Sequence, residues 1–393
     1  MIKVKLGKGK GHRVEAGHPW IYANELETIE GTPQPGEIVE VYNFKNGFIG
    51  KGYFNQKSQI IIRLLTRSKE EEVNRHFFFN KLRQALKLRQ QLGFKHNFRL
   101  VYGEADGLPG LIVDKLGPYL VIQSLALGIE VWKKDIVEAL EKIMEPAGIY
   151  ERNDVPVRVL EGLQEMKGFL TAPFPTQLII TEPDEIKFHV DIENGQKTGF
   201  FLDQKQNRYL IKKYVADARV LDCFCFSGSF SLYAGRYGAK SVLGLDISAQ
   251  AIADAKKNAE LNGLEKVITF EERNAFDALT DFYKERREFD TIILDPPAFT
   301  KSRSNIPNAL KGYKEINLKA MKLLKSGGFL VTCTCSHFIS PELFTQMLHE
   351  AASDAGKLIR QMEFSIQSKD HPYIWQIEET LYLKFFVLQV FNK

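Results

Sequence analysis

Cysteine is scarce in this chain. Four of 393 residues are cysteine, and all four lie beyond position 220 as two C-x-C pairs, Cys223/Cys225 and Cys333/Cys335. So few and so clustered, they cannot staple a secreted fold and are expected to be reduced thiols. Long apolar runs are missing too. The nearest, YLVIQSLAL, falls well short of the ~18 residues of a membrane span, and the opening MIKVKLGKGKGHR lacks the apolar centre of a signal peptide. A cytoplasmic chain with no membrane partner is the expectation. Net charge is small as well: 53 Lys and Arg against 49 Asp and Glu leave a formal +4. The balance conceals an uneven distribution, because residues 1–99 hold 18 Lys and Arg, 9 Glu and no Asp. A basic N-terminal end on a mildly acidic body suits attachment to a polyanion. A solvated basic surface without a partner is the plainer alternative.

What is present divides into three stretches. Residues 1–70 alternate short β-rich runs (GEIVEVYNFKNGFIGKGYF, SQIIIRLLTR) with Gly and Pro, which predicts a small β-barrel-like module. Lys8, Lys10, His12, Arg13 and Trp20 fall near its expected rim, cations for phosphate beside a ring for stacking. Trp20 as a core residue is the simpler reading. Residues 71–185 predict a small central α+β module. Its first helix, over 69–92, presents Phe78, Leu82, Ala85, Leu86, Arg89 and Leu92 at helical spacing; a second covers 129–145.

From 186 to 393 strands alternate with helices. The strands are 219–224, 241–247, 267–272, 290–295 and 329–335, with helices near 229–237, 248–262, 276–286 and 308–325. Ser248 and Gly263 bracket the second of these helices as start and stop signals. Right-handed crossovers between such strands give a doubly wound parallel sheet, an α/β Rossmann-like fold.

Ligands of such sheets lie beyond the carboxyl ends of the strands, at the switch point. The turn after the first strand is VLDCFCFSGSFSLYA. Ser227, Gly228 and Ser229 let its backbone pass close to a ligand, Phe224 flanks it, and Asp222 can accept from an amino group. Asp246 ends the second strand, placed for two ribose hydroxyls, with Ile247 beside it. Asn274 and Ala275 follow the third strand, where an adenine edge is expected. A single glycine and no G-x-G-x-x-G cradle disfavour a dinucleotide. A nucleoside cofactor without phosphate, S-adenosylmethionine, fits better, and a tight turn with a solvated Asp is the blander alternative.

The fourth strand ends in ILDPPAFTKS, where two prolines fix the backbone after Asp295 and remove competing N–H donors. The fifth ends in FLVTCTCSH, with Cys333 and Cys335 on one face. Carbon 5 of a pyrimidine is a poor nucleophile. A thiolate adding at carbon 6 makes it enamine-like, so the chemistry needs a Cys, an acidic group for the ring and a methyl donor in one pocket. Cys335 beside Asp295 is the expected pair. Two inert buried thiols are the main rival, since free Cys is among the most buried residue types. A four-cysteine zinc site is disfavoured by the C-x-C spacing.

At this point VLDCFCFSGSFSLYA, DPPAFTKS and VTCTCS, preceded by GQKTGFFLDQKQNR, resemble the bacterial large-subunit ribosomal RNA cytosine-5 methyltransferases, class I enzymes with an N-terminal PUA domain. GHPWIYANE is similar to the start of that domain and YGEADGLPGLIVDKLG to the family's central α+β domain, so the resemblance spans the chain. It implies S-adenosylmethionine as donor and a cytosine in 23S rRNA as substrate, and it allows a homodimer. It also implies that Gln196, Phe200, Asp203, Gln204 and Arg208 close over the cofactor and that Cys335 is the nucleophile. Other RNA cytosine-5 methyltransferases carry a second Cys just after the strand-four prolines. Ala298 and Phe299 stand there in this chain, and Cys333 is the substitute to consider. The alternatives are methylation of another RNA base (uracil carbon 5 or a guanine amine), a non-catalytic ribosome-assembly factor that binds RNA, and a small-molecule methyltransferase. A base methylated in such a pocket would have to be flipped out.

Overall fold

A computed structural model describes every residue except Lys301, which lies in the DPPAFTKS stretch. The chain divides into two compact units: residues 1–180, 190–202 and 369–380 form the first, and residues 181–189, 203–368 and 381–393 the second.

The first unit holds two separate sheets. One has six strands in the order Trp20–Tyr22, Ile60–Thr66, Phe48–Phe54, Ile38–Tyr42, Ile2–Leu6, Leu26–Glu30. Ile2–Leu6 runs parallel to Ile38–Tyr42, and the other pairs are antiparallel. Alternation turns Val4, Leu6, Val39, Val41 and Ile62 into one core, as period-two patterning requires. At Gly52 a Cβ would sit 2.3 Å from the Arg63 carbonyl oxygen, so these strands approach only where no side chain stands between them.

The other sheet has five strands, ordered Met166–Phe169, Gly148–Asn153, Tyr119–Ser124, Leu111–Leu116, Phe98–Tyr102, and packs with helices Arg75–Gln91 and Leu127–Met144. The first helix starts later than its hydrophobic pattern suggests because Asn74 caps it, accepting from the N–H groups of His76 and Phe77. Leu92 falls past its end and is exposed. Arg89, on the buried face, forks onto Asp106 and donates to the carbonyls of Asp370 at 2.7 Å and Arg99 at 2.9 Å. The segment 369–380 thus returns to this unit on buried polar contacts. Asp370 Oδ2 accepts from the Arg99 N–H at 2.8 Å, and Glu379 meets the buried His18 ring at 2.9 Å.

In the second unit seven strands, β1 (Arg219–Cys223), β2 (Ser241–Asp246), β3 (Ile268–Glu272), β4 (Phe289–Leu294), β5 (Leu324–Thr334), β6 (Lys357–Ile366) and β7 (Lys384–Asn392), run in the order β3-β2-β1-β4-β5-β7-β6. Helices α1 (Ser229–Arg236), α2 (Ala249–Leu261), α3 (Ala275–Lys284), α4 (Ile306–Leu323) and α5 (Pro341–Asp354) connect them. The first five strands are parallel and match the expected set. β7 inserts antiparallel between β5 and β6; β6 and β7 are the two strands that the sequence reading lacks. The order reverses between β1 and β4, which is the switch point. Ser248 caps α2 by accepting from the Ala251 N–H at 3.2 Å, and Gly263 adopts φ 66° just beyond its end. No described helix is long and apolar enough to cross a membrane.

Candidate active site

The turn between β1 and α1 is backbone under constraint. Phe224, Phe226 and Gly228 have φ of 64°, 49° and 82°, so left-handed conformations fall on two phenylalanines as well as on the expected glycine. Each such residue with a side chain costs on the order of 1–3 kcal/mol. Surrounding bonds impose the shape: the Cys225 N–H donates to Leu245 O at 2.9 Å, Gly228 N–H to Cys225 O at 2.8 Å, and Asn258 Nδ2 to Ser227 O at 3.0 Å. Gly228 has a second reason to be glycine, since a Cβ there would lie 2.8 Å from the Phe270 ring. Cys223 and Cys225 are buried in this turn, and burial pushes both thiols well up.

Asp222, at the end of β1, is fully buried. Ser231 Oγ donates to its Oδ2 at 2.6 Å, while Oδ1 is buried with no hydrogen-bond partner. Burial raises the carboxyl to about 7; the Ser231 bond opposes this and the Asp295 charge adds to it. An unpaired buried carboxylate oxygen calls for a cationic donor. Asp246 is held at the end of β2 by two backbone donors, Phe226 N–H and Ser248 N–H, each at 2.9 Å. Both of its oxygens keep a lone pair for hydroxyl groups. Ile247 follows with 70% of its surface exposed, an apolar platform suited to a purine face. These features together fit S-adenosylmethionine, from whose ammonium the unpartnered Asp222 oxygen could accept and from whose ribose hydroxyls Asp246 could accept.

Not every expected cofactor residue is disposed as the sequence suggests. Asn274 caps α3, its Oδ1 accepting from the N–H groups of Phe276 and Asp277, so that oxygen is committed to the helix start rather than to an adenine edge. Ala275 is buried as the first residue of α3, and Phe224 meets Phe276 edge-on at 6.5 Å. Arg208 is fully buried with its guanidinium 5.7 Å from the centroid of the Tyr233 ring. Asp203 accepts from Tyr382 Oη at 2.7 Å. Gln196 and Phe200 belong to the first unit.

The reaction centre lies where β4 and β5 end side by side. Asp295 Oδ1 accepts from Gln204 Nε2 at 3.0 Å and from the Cys333 thiol at 2.9 Å. The sequence reading sets Cys335 beside this carboxylate, but the thiol bonded to it is Cys333. Register explains the difference. Leu294 pairs with Thr332, which brings Cys333 level with Asp295 and carries Cys335 past the end of β5, 3.9 Å from Pro296 O. Cys333 is buried, and burial together with the Asp295 charge holds its thiol well above the ordinary range. It is a proton donor here. Cys335 is the one cysteine that is not buried.

The residues flanking Cys335 are pinned. Thr334 Oγ1 donates to Tyr313 Oη at 2.8 Å, Tyr313 Oη lies 3.0 Å from Ser336 Oγ, and the Ser336 N–H donates back to Thr334 Oγ1 at 3.1 Å. Lys384 Nζ donates to Ser336 O at 2.8 Å. Sequence reasoning missed Tyr313 and Lys384. The first sits on a helix at a position that reads as ordinary core. The second had one signal, a lone lysine opening the apolar run KFFVLQV.

In the first unit, Lys8, Lys10 and His12 are exposed. Arg13 and Trp20 are instead built into the fold. Arg13 Nη1 lies 3.1 Å from the His18 ring nitrogens and Nη2 donates to Trp20 O, while Trp20 Nε1 donates to Glu104 at 2.9 Å.

Comparison with known proteins adds independent findings. The family model of S-adenosylmethionine-dependent methyltransferases matches residues 169–380, and that of a PUA-like domain matches residues 4–67. The ribosomal RNA large subunit methyltransferase I of Vibrio cholerae is 38% identical over 393 residues, covering 98% of this chain and 99% of its own. Its namesake from Aeromonas salmonicida is 39% identical over 392 residues, covering 99% of each chain. Among solved structures, SMU.776, described as a methyltransferase complexed with SAH, has a TM-score of 0.85 at 20% identity, covering 99% of this chain and 100% of its own; the likeness is one of fold.

Proposed function

Because the chain belongs to the ribosomal RNA large subunit methyltransferase I family of S-adenosylmethionine-dependent methyltransferases, we propose that it methylates carbon 5 of a cytosine in 23S rRNA through a covalent adduct at Cys335. One observation supports this reading: the partly exposed Cys335 lies just past the end of β5 with its thiol 3.9 Å from Pro296 O, and the residue before that proline is Asp295, held by Gln204 and Cys333. Amine methylation has no use for a thiol there. Carbon-5 chemistry does.

The cofactor supplies an electrophilic methyl group, with Asp222, Asp246, Ile247 and the 224–228 turn as its seat. Cys335 adds through sulfur to carbon 6 of the ring, and the electron pair gained at carbon 5 makes that carbon nucleophilic. Asp295 accepts from the amino edge of the base and fixes its orientation. After methylation, a base takes the proton from carbon 5, the carbon 5–carbon 6 double bond re-forms and the thiolate leaves. Cys333 stays protonated, so it orients Asp295 and is not the proton acceptor. The PUA-like module, with exposed Lys8, Lys10 and His12, supplies cations for rRNA phosphates.

The test replaces Cys335 by Ala and follows labelled methyl transfer to rRNA, with nucleoside mass spectrometry of the wild-type product. A loss of at least ~10³-fold is expected, with 5-methylcytosine as product. Undiminished turnover in Cys335→Ala overturns the nucleophile, and any other methylated nucleoside overturns the choice of base.

A further inference from the structure

Lys384 opens β7 opposite Thr334 of β5 and is 1% exposed. Its Nζ donates to two backbone carbonyls, Ser336 O at 2.8 Å and Tyr382 O at 3.0 Å. Among the described residues no carboxylate comes within ion-pair distance of it. A buried ammonium without an anion is costly, and a Leu or Met of similar volume would fill the same space without that cost. Position suggests what the charge is for. One of the carbonyls it holds belongs to the residue directly after Cys335, and negative charge on the Cys335 sulfur would raise the Lys384 amine.

We propose that the Lys384 ammonium is the counter-charge of the Cys335 thiolate, a positioning residue that favours ionisation of the nucleophile and fixes the Ser336 peptide beside it. This rests on the Cys335 mechanism proposed above. Burial draws the Lys384 amine down to about 8, opposed by the negative charge of Cys335. It is therefore still charged at neutral pH and gains most when an anion forms next to it. Titratable groups near Cys335 include the Cys333 thiol on β5, the Tyr313 phenol on α4, Asp295 after β4, the exposed His337 two residues on, and Lys384 on β7. Cys333 and Tyr313 are weak acids raised by burial, and Asp295 opposes a thiolate. Lys384 supplies a positive charge to that set.

The test reads the thiol directly. Alkylation of Cys335 by iodoacetamide, followed by peptide mass spectrometry across pH, gives its ionisation midpoint in wild type, Lys384→Met and Lys384→Arg, with S-adenosylmethionine binding as the check of fold. The expected result is a midpoint at least one pH unit higher in Lys384→Met, a tenfold smaller thiolate fraction below it, and a smaller rise in Lys384→Arg. The kcat–pH profile should move with it while KM for RNA stays put. An unshifted midpoint in a folded Lys384→Met protein overturns the proposal. Should Lys384→Met fail to bind cofactor, Lys384→Gln is read in the same way. Failure of the underlying mechanism looks different: Cys335→Ala would retain activity whatever the alkylation midpoint.

Discussion

Ser231 Oγ lies 2.6 Å from Asp222 Oδ2, and the other oxygen of the same carboxyl is buried without a hydrogen-bond partner. That half-satisfied group, raised to about 7 by burial, couples cofactor binding to protons. A cationic amino group favours the ionised form, so affinity for S-adenosylmethionine should rise with pH up to about 7 and level off above. Calorimetry at pH 6 in two buffers of different ionisation enthalpy should show proton release on binding. Asp222→Asn should abolish the release and weaken binding by about 1.5–3 kcal/mol, roughly ten- to a hundredfold.

The same group shapes stability without ligand. Its folded value lies above the unfolded one of ~3.9, so its contribution is complete below that pH and is lost as pH climbs through 7. The cofactor-free protein should therefore lose part of its thermal stability between about pH 4 and 7 on account of this group, and Asp222→Asn should lose less. Melting curves across that window, with and without cofactor, check the sign.

Tyr313→Phe removes the hydroxyl that joins Thr334 to Ser336. Thr334 Oγ1 then loses its acceptor, keeping only the Ser336 N–H, and Ser336 Oγ loses its Tyr313 contact, at a cost of about 1–3 kcal/mol in unfolding free energy. Cys335 sits between them, so kcat should fall while cofactor affinity holds. Denaturant titration and steady-state kinetics separate the two effects.

Arg89→Met leaves Asp106 buried with its charge unmatched and frees the Asp370 carbonyl. Breaking one side of such a pair costs about 3–5 kcal/mol. The unfolding midpoint should drop accordingly, whereas replacing an exposed residue on the same helix, as in Leu88→Gln, should change little.

The parallel half of the second unit was legible because its strands are short, apolar and bounded by caps such as Ser248 and Gly263. β7 was not, since KFFVLQVFN is buried along nearly its whole length and shows no alternation, and β6 is an edge strand whose charges mask its period. Asp222, Asp246 and Asp295 could be placed by their strand ends alone. Which thiol meets Asp295 depends on the β4–β5 register, and a sequence does not carry that across the 29 residues between Leu294 and Leu324 at the resolution of one residue. Arg13, Trp20 and Asn274 read as surface chemistry because residue type does not reveal that a neighbour already holds each one.

The return of residues 369–380 to the first unit has a temporal consequence. Arg89 and Asp370 are 281 positions apart in the chain, and at about 5–20 residues per second a ribosome needs roughly 15–55 s to travel between them. During that interval the Arg89 donor meant for the Asp370 carbonyl and the Arg99 amide wait for acceptors not yet synthesised, as the His18 ring waits for Glu379. The first unit is therefore closed late, and a chain stopped before Lys369 would leave buried donors of its core unpaired.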